Sequence, residues 1–171
     1  MGRCLLVANQ TLGGEELEGT IRDRIARGDH RFFIVVPMTA PKHETAVWAG
    51  GFPLSDHMAG YMSPEVTREV LVEDARRRDE QLEEAHRRAE SRLEQMVEAV
   101  RAAGGEAEGV VGAPEPTVAV QDVLEEQSFD EVIVSTLPTS LSRWLRMDLP
   151  SRIARMTDAP VTTVEADETP G

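Results

Sequence analysis

Polar, small and basic residues follow the short apolar runs of this 171-residue chain. In a parallel sheet the carboxyl ends of the strands meet at one edge, and ligands bind in the crevice beyond that edge. Amide, hydroxyl and guanidinium groups gathered there would hydrogen-bond a small anion. The residues that we expect to line this crevice are Asn9, Gln10, Thr11, Val36, Gly112, Ser135, Thr136, Ser142, Arg143 and Arg146.

The segment 139–156 is basic within an acidic chain. It contains Arg143, Arg146, Arg152 and Arg155 but one acid, Asp148, whereas the chain has 31 Asp and Glu against 18 Lys and Arg. One interpretation is a binding patch for a small anion or an acidic partner, with neighbouring hydroxyl groups donating hydrogen bonds. The other is that these arginines pair with the protein's own surface carboxylates, which is common and weak. Both interpretations stay open.

Residues suited to catalysis or metal binding are sparse. The histidines are His30, His43, His57 and His86, and no two of them have the spacing that places metal ligands on one helix face. The single cysteine, Cys4, lies in an apolar run and is expected to be a buried core residue. Neither a Gly-x-Ser-x-Gly motif nor a phosphate-loop lysine motif occurs. We therefore predict that the chain is not an enzyme and uses no metal or cofactor.

Charge and hydropathy exclude further classes of function. The net charge of −13 repels phosphate backbones, which argues against nucleic-acid binding. The sequence has no apolar run long enough to span a bilayer, so no membrane partner is expected. The N-terminal residues lack the apolar core of a secretory signal, which predicts a cytoplasmic location.

Five runs rich in Val and Ile predict β-strands, because branched side chains suit a buried pleated surface. They are residues 3–8, 31–37, 106–111, 131–135 and 160–164. Segments with helical spacing lie between them, and this alternation predicts an α/β fold, a doubly wound, Rossmann-like parallel sheet with helices on both faces. We expect one domain over residues 1–166 with an insertion at 38–63, followed by a polar tail at 167–171.

Helices are expected near residues 14–26, 64–103 and 150–156, and a further one after Pro116 that carries Val118, Val120, Val123 and Leu124. Gly28 should end the first helix, and Ser63 followed by Pro64 should begin the second. The second helix is long, with a charged run at 76–80 in the middle of its apolar stripe. We expect the half after about Gln81 to lie on the sheet and the earlier half to bend away or project.

The order of several short segments resembles the universal stress protein family. A polar residue follows the first strand, Gly112-Ala113-Pro114 precedes the third helix, and the segments 130–135 and 158–164 complete the likeness. The resemblance covers nearly the whole chain except the insertion. It implies the strand order 3-2-1-4-5, a role in stress response, and a homodimer formed through the last strand, residues 161–164.

One motif of that family is missing. ATP-binding members carry, after the fourth strand, glycine, two residues, glycine, nine residues, then glycine followed by Ser or Thr. With a one-residue gap in the alignment, the matching positions hold Ser135, Pro138, Met147 and Asp148, and Asn9 stands where an aspartate is usual. Pro138 lacks an N–H donor, and the carboxylate of Asp148 would repel a triphosphate. We therefore expect no ATP binding in the family's usual mode.

Three functions remain open after this reading. The first is a non-enzymatic binding or regulatory module with a degenerate nucleotide-binding site. The second is a nucleotide-binding protein or weak ATP hydrolase in which Asn9, Ser135, Thr136 and the arginines replace the missing glycines. The third is a scaffold that docks a partner protein through the first half of its long helix, residues 65–80.

Overall fold

The structure is a computed structural model that describes residues 2–8, 14–28, 31–38, 48–49, 52–53, 63–136 and 148–165. In chain order the elements are β1 (Arg3–Ala8), α1 (Glu15–Arg27), β2 (Arg31–Pro37), β3 (Trp48–Ala49), β4 (Phe52–Pro53), α2 (Pro64–Ala102), β5 (Glu106–Gly112), α3 (Pro116–Glu126), β6 (Glu131–Thr136), α4 (Leu149–Ala154) and β7 (Val161–Glu165). The chain divides into two compact units. The first comprises Met1–Thr39 and Arg87–Gly171, and the second comprises Ala40–His86. The single domain over 1–166 stays a prediction.

The first unit contains a sheet of five parallel strands among the described residues, in the order β5-β2-β1-β6-β7. Numbered along the chain, these five strands have the order 3-2-1-4-5, which confirms the doubly wound α/β fold. Every strand begins and ends within one residue of its predicted position. The three central strands, β1, β2 and β6, are buried on both faces, as expected for a parallel sheet covered by helices, whereas the edge strands β5 and β7 are partly exposed.

One face of the sheet packs against α1 and the later part of α2. Side chains that alternate along the strands, such as Leu6, Ile34 and Ile133, form a core cluster here with Met96 and Val100 of α2. This confirms that the part of α2 from Arg87 onward lies on the sheet, as its apolar stripe predicts. Whether the earlier part bends away or projects stays a prediction.

Helix α1 has its expected boundaries because both ends carry a sequence signal. Its buried side chains include Leu17 and Ile21, four residues apart on one face. Acidic residues occupy the first turn and basic residues the last, in accord with the helix dipole. Gly28 follows with a left-handed φ of 104°, and its N–H donates to the carbonyl of Ile25, which closes the helix.

The other face packs against α3 and α4. Leu5, Val35 and Val134 lie on this side with Val120 of α3 and Ile153 of α4. Helix α3 begins with Pro116 at its first position, where a missing N–H leaves no hydrogen bond unmade. The two helical layers therefore enclose the sheet, and the carboxyl ends of its strands form the edge at which the candidate site was predicted.

In the second unit, β3 and β4 pair as a short antiparallel hairpin, with Trp48 opposite Pro53. No strand was predicted within the insertion at 38–63, so this pair adds to the predicted elements. Strands of two residues are too short to show alternating hydropathy, although Gly50 and Gly51 between them are typical of a two-residue turn. The rest of residues 39–62 lies outside the described residues.

The part of α2 in the second unit is rich in charge. The hydroxyl oxygen of Ser63 accepts a hydrogen bond from the N–H of Val66 at 3.4 Å, which confirms the expected N-cap. Ion pairs such as Arg76 with Glu73, 2.9 Å apart, link successive turns. Leu71 and Val72 are 56% and 61% exposed. Among the described helices, none combines the length and hydropathy needed to cross a bilayer.

Candidate functional site

The strand order places the candidate site at the carboxyl end of β1. From β1 the chain proceeds outward through β2 and β5, then returns to the other side of β1 for β6 and β7. The order therefore reverses between β1 and β6, and connections leave these two strands in opposite directions. Such a switch point opens a crevice beyond the strand ends. The described residues at this point are Ala8, Ser135 and Thr136.

Ser135 lies in a row of small side chains across three strands. Its neighbours in register are Ala8 on β1 and Val164 on β7. Ser135 is 1% exposed, and Thr136, the next residue, is fully buried. Because side chains alternate along a strand, Ser135 lies on the face of α1 and α2 and Thr136 on the face of α3 and α4. The two hydroxyl groups predicted to act together thus belong to opposite faces.

Val36 and Gly112 share this edge but lie away from the switch point. Val36 is buried on β2 and belongs to the core cluster on the α1 and α2 face. Gly112 ends β5, and its carbonyl accepts a hydrogen bond from the N–H of Met38 at 3.1 Å. Strands are spaced about 4.8 Å apart, so β5 lies roughly 14 Å from β6. One small ligand would not contact Gly112 and Ser135 at once.

Gly112 is a glycine for a packing reason. A Cβ atom built on it would lie 2.5 Å from the Cβ of Ala119 in α3 and 3.0 Å from a methyl group of Val35. Helix α3 therefore approaches the strand more closely than any larger residue allows. This contact accounts for the glycine of the Gly112-Ala113-Pro114 turn without a ligand.

Asp148 stands immediately before α4 and is exposed. Its backbone adopts the left-handed conformation, with φ 55° and ψ 40°, and its side chain makes no capping hydrogen bond to the helix. In the ATP-binding members of the family that the sequence resembles, the matching position holds the Ser or Thr of the glycine-rich signature. A carboxylate there can only accept hydrogen bonds, whereas phosphate oxygens require donors.

The remaining predicted crevice residues lie outside the described residues. They are Asn9, Gln10, Thr11, Ser142, Arg143 and Arg146, and their place in the crevice stays a prediction. Arg152 and Arg155, from the same basic segment, are exposed at the end of α4. Neither forms an ion pair with a carboxylate in the described part of the chain. Both interpretations of the basic segment therefore stay open.

A polar cluster that the sequence reading missed lies at the opposite, amino edge of the sheet. The guanidinium of Arg24 donates two hydrogen bonds to the carboxylate of Glu131, at 2.5 and 2.6 Å, and the hydroxyl of Thr162 donates a third at 2.7 Å. The Arg24 hydrogen bond holds the pKa of Glu131 below its usual value of 4.5, although burial opposes this shift. The sequence feature that could have indicated this cluster is Glu131, an acidic residue at the first position of an apolar strand.

Metal binding finds no support among the described residues, since no three His, Cys, Asp or Glu side chains come together there. Cys4 is 1% exposed, as predicted for a core residue, with its sulfur 4.0 Å from a Glu131 oxygen. The described part of the carboxyl edge thus offers buried hydroxyl groups, a packed glycine and an exposed carboxylate.

No family model matches the sequence, and no curated protein matches it significantly. The fold is nevertheless similar to solved structures. The chain resembles universal stress proteins in its fold. A universal stress protein from Archaeoglobus fulgidus has 12% identity and a TM-score of 0.47, with 96% of this chain and 94% of that chain covered.

Two further structures of this kind contain a nucleotide. The Archaeoglobus fulgidus protein in complex with dAMP has 13% identity and a TM-score of 0.45, with 96% of this chain and 98% of that chain covered. A universal stress protein in complex with cAMP has 15% identity and a TM-score of 0.42, with 98% of this chain and 100% of that chain covered.

Proposed function

We propose that the chain is a non-enzymatic binding or regulatory module of universal stress protein type that does not hold ATP in the family's usual mode. The observation that carries the proposal is the burial of Ser135 between Ala8 and Val164. ATP-binding members of the family carry a glycine at this position, and glycines let phosphate oxygens approach nearby backbone N–H groups. Ser135 instead carries a buried side chain.

Charge supports the same proposal. Asp148 is exposed and lies at the signature position that otherwise carries a hydroxyl group. A carboxylate about 4 Å from a phosphate costs on the order of 4 kcal/mol at an effective dielectric of 20. That cost corresponds to several hundredfold or more in affinity. Pro138 removes one further donor from the same segment.

A thermal-unfolding assay with magnesium and either ATP or AMP tests the proposal. A ligand present at about 100 times its dissociation constant stabilises the folded state by roughly 2.7 kcal/mol. For a chain of this length that is a rise of roughly 5 to 10 °C in the melting temperature. The proposal expects no rise with ATP. A saturable rise would overturn it.

The proposed module works as a homodimer in the cytoplasm and pairs through β7. Within the described ranges β7 hydrogen-bonds to β6 alone and forms one edge of the sheet. An open strand edge is a template for pairing with a second strand, and two such edges related by a two-fold axis can pair with each other. Light scattering during size-exclusion chromatography should give twice the monomer mass of 18.8 kDa.

The exposed arginines favour a second candidate, a nucleotide-binding protein or weak ATP hydrolase with a non-standard phosphate site. Arg152 and Arg155 have no carboxylate partner among the described residues and could bind phosphate oxygens. This candidate expects a thermal shift with ATP or AMP that Arg152→Gln reduces. Phosphate release measured over time separates binding from hydrolysis.

The exposed apolar residues of α2 favour a third candidate, a scaffold that docks a protein through this helix. Val66, Leu71 and Val72 are 44%, 56% and 61% exposed. Exposed apolar groups on a helix are typical of docking surfaces when they form a contiguous patch. If this candidate is correct, Leu71→Glu with Val72→Glu should abolish association with the partner and leave the melting temperature unchanged.

A further inference from the structure

A cleft of about 270 Å³ lies at the amino edge of the sheet, on the side of the first unit opposite Ser135 and Thr136. Its lining residues are Arg3, Arg31, Phe32, Glu106, Ala107 and Glu108. The register places Arg3, Arg31 and Glu106 side by side on β1, β2 and β5. Glu108 follows two residues later and shares their face of the sheet. The cleft therefore carries two positive and two negative side chains on one surface.

The guanidinium of Arg3 is held in place from several sides. One of its terminal nitrogens donates to Glu108 at 3.4 Å and to the side-chain oxygen of Gln127. The guanidinium carbon lies 5.2 Å from the ring centre of Phe129, which is within the range of cation–π attraction. The backbone N–H of Arg3 donates to Asp130 at 2.8 Å. A side chain ordered in this way loses little conformational entropy when it binds a ligand.

Arg31 brings a second positive charge next to the first. Adjacent strands are about 4.8 Å apart, and like charges at neighbouring positions of a sheet destabilise it. The pairing of Arg31 with Glu106 relieves this only weakly, because the distance is 3.4 Å and both side chains are mostly exposed, 63% and 75%. Each guanidinium has five N–H groups, so donors remain for a ligand. A carboxylate between Arg3 and Arg31 would offset their repulsion.

We propose that this cleft binds a small zwitterion of the α-amino acid class. The ligand's carboxylate lies between Arg3 and Arg31, and its ammonium group lies against Glu106 and Glu108. The two glutamates would repel a ligand that carries only a negative charge, and the two arginines would repel one that carries only a positive charge. A molecule that carries both charges therefore matches the cleft best. The volume is slightly below the usual range of about 300 to 1,000 Å³, which suits a ligand smaller than a nucleotide.

Isothermal titration of the full chain tests this proposal with glycine, L-alanine and L-glutamine as probes. Sodium acetate and methylammonium chloride serve as controls that carry one charge each. We expect saturable binding of at least one amino acid and much weaker binding of both controls. The absence of saturable binding for all three amino acids would overturn the proposal. So would acetate that binds as tightly as the amino acids.

Variants assign the binding to this cleft. Arg31→Gln and Glu106→Gln should each weaken binding by about tenfold to a hundredfold, since each removes a charge-assisted hydrogen bond. Arg22→Gln, an exposed arginine on α1, should leave it unchanged. If Arg31→Gln does not fold, Glu106→Gln and Glu108→Gln carry the same test. Unchanged binding in the cleft variants would overturn the proposal. Nucleotide titrations do not bear on this result, because the two sites lie at opposite edges of the sheet.

Discussion

Arg24 and Glu131 form a two-pronged ion pair that joins helix α1 to the start of β6. Their side chains are 16% and 13% exposed, whereas those of Arg22 and Glu18, a pair within α1, are 68% and 48% exposed. Thr162 of β7 donates to the same carboxylate. This single group therefore links α1, β6 and the edge strand on which we expect the dimer to form.

Removing the carboxylate of Glu131 should destabilise the folded chain, because Arg24 would keep its positive charge in a largely buried position. We expect Glu131→Gln to lower the free energy of unfolding by about 2 kcal/mol. Urea unfolding at neutral pH provides the measurement. Glu18→Gln, which breaks the exposed pair with Arg22, should cost less than about 0.5 kcal/mol. Equal losses in the two variants would contradict the assigned role of the pair.

The same carboxylate should make stability depend on pH. Its pKa is lowered in the folded chain, first by the hydrogen bond from Arg24, so the folded state favours the ionised form. This contribution is fully present above the unfolded value near 4.5 and is lost as the pH falls through the lower folded pKa. Wild type and Glu131→Gln should therefore converge in stability in acid. The urea midpoints of both proteins are measured from neutral pH to about pH 3. A difference between the two midpoints that stays constant over this range would contradict the prediction.

The packing of α3 on β5 predicts the effect of adding one methyl group. Gly112→Ala should lower the free energy of unfolding by about 1 to 3 kcal/mol, because the new Cβ would lie 2.5 Å from that of Ala119. Gly19→Ala is a matched control, since nothing lies within 4 Å of a Cβ built there. In the middle of α1 that change should stabilise the chain by about 0.5 to 1 kcal/mol.

A second substitution shows whether the clash causes the loss. Ala119→Gly removes the methyl group that Gly112→Ala would meet, so the double variant should recover part of the stability despite the cost of a helical glycine. Thermal unfolding of the two single variants and the double variant measures this coupling. Additive losses would show that the close approach at Gly112 is not what disfavours alanine.

The strand sequence indicates how to test the dimer. The N–H of Val132 donates to the carbonyl of Pro160, and in a parallel ladder the N–H of Thr162 then pairs inward while that of Thr163 points outward. Thr163→Pro should remove an outward donor and give a monomer that stays folded. Light scattering and circular dichroism provide the two readouts.

The charged variant of α2 is the control for this dimer. Leu71→Glu with Val72→Glu should leave the dimer intact if β7 forms it. A monomer produced by the α2 variant, with Thr163→Pro still dimeric, would assign self-association to the helix. A wild-type chain that is monomeric would contradict the homodimer itself.

Much of the fold could be predicted because its signals are local and repeated. The Val- and Ile-rich runs placed all five strands of the sheet, and Gly28 and Ser63 marked helix ends that the structure confirms. The hairpin β3–β4 was missed because each strand has two residues, fewer than any periodicity needs. Long-range order within the sheet came from the resemblance and the right-handed crossover rule.

The candidate site was harder to predict, because burial and face depend on packing between elements. Residue types placed Ser135, Thr136, Val36 and Gly112 at one edge, but they did not show that two faces and several strands separate them. The charged cleft at the amino edge was missed for a similar reason. Arg3 and Arg31 are 28 positions apart and meet only through strand register.

The most direct test of the central claim is a calorimetric titration of the wild-type chain with ATP and magnesium. The variant Ser135→Gly, Pro138→Gly, Met147→Gly and Asp148→Ser is titrated beside it; it supplies the residue types of the signature, with eight instead of nine residues between the second and third glycine. We predict no saturable heat for the wild type, because Ser135, Pro138 and Asp148 replace the glycines and the hydroxyl residue of the family's signature. Saturable ATP binding by the wild-type chain would contradict the account.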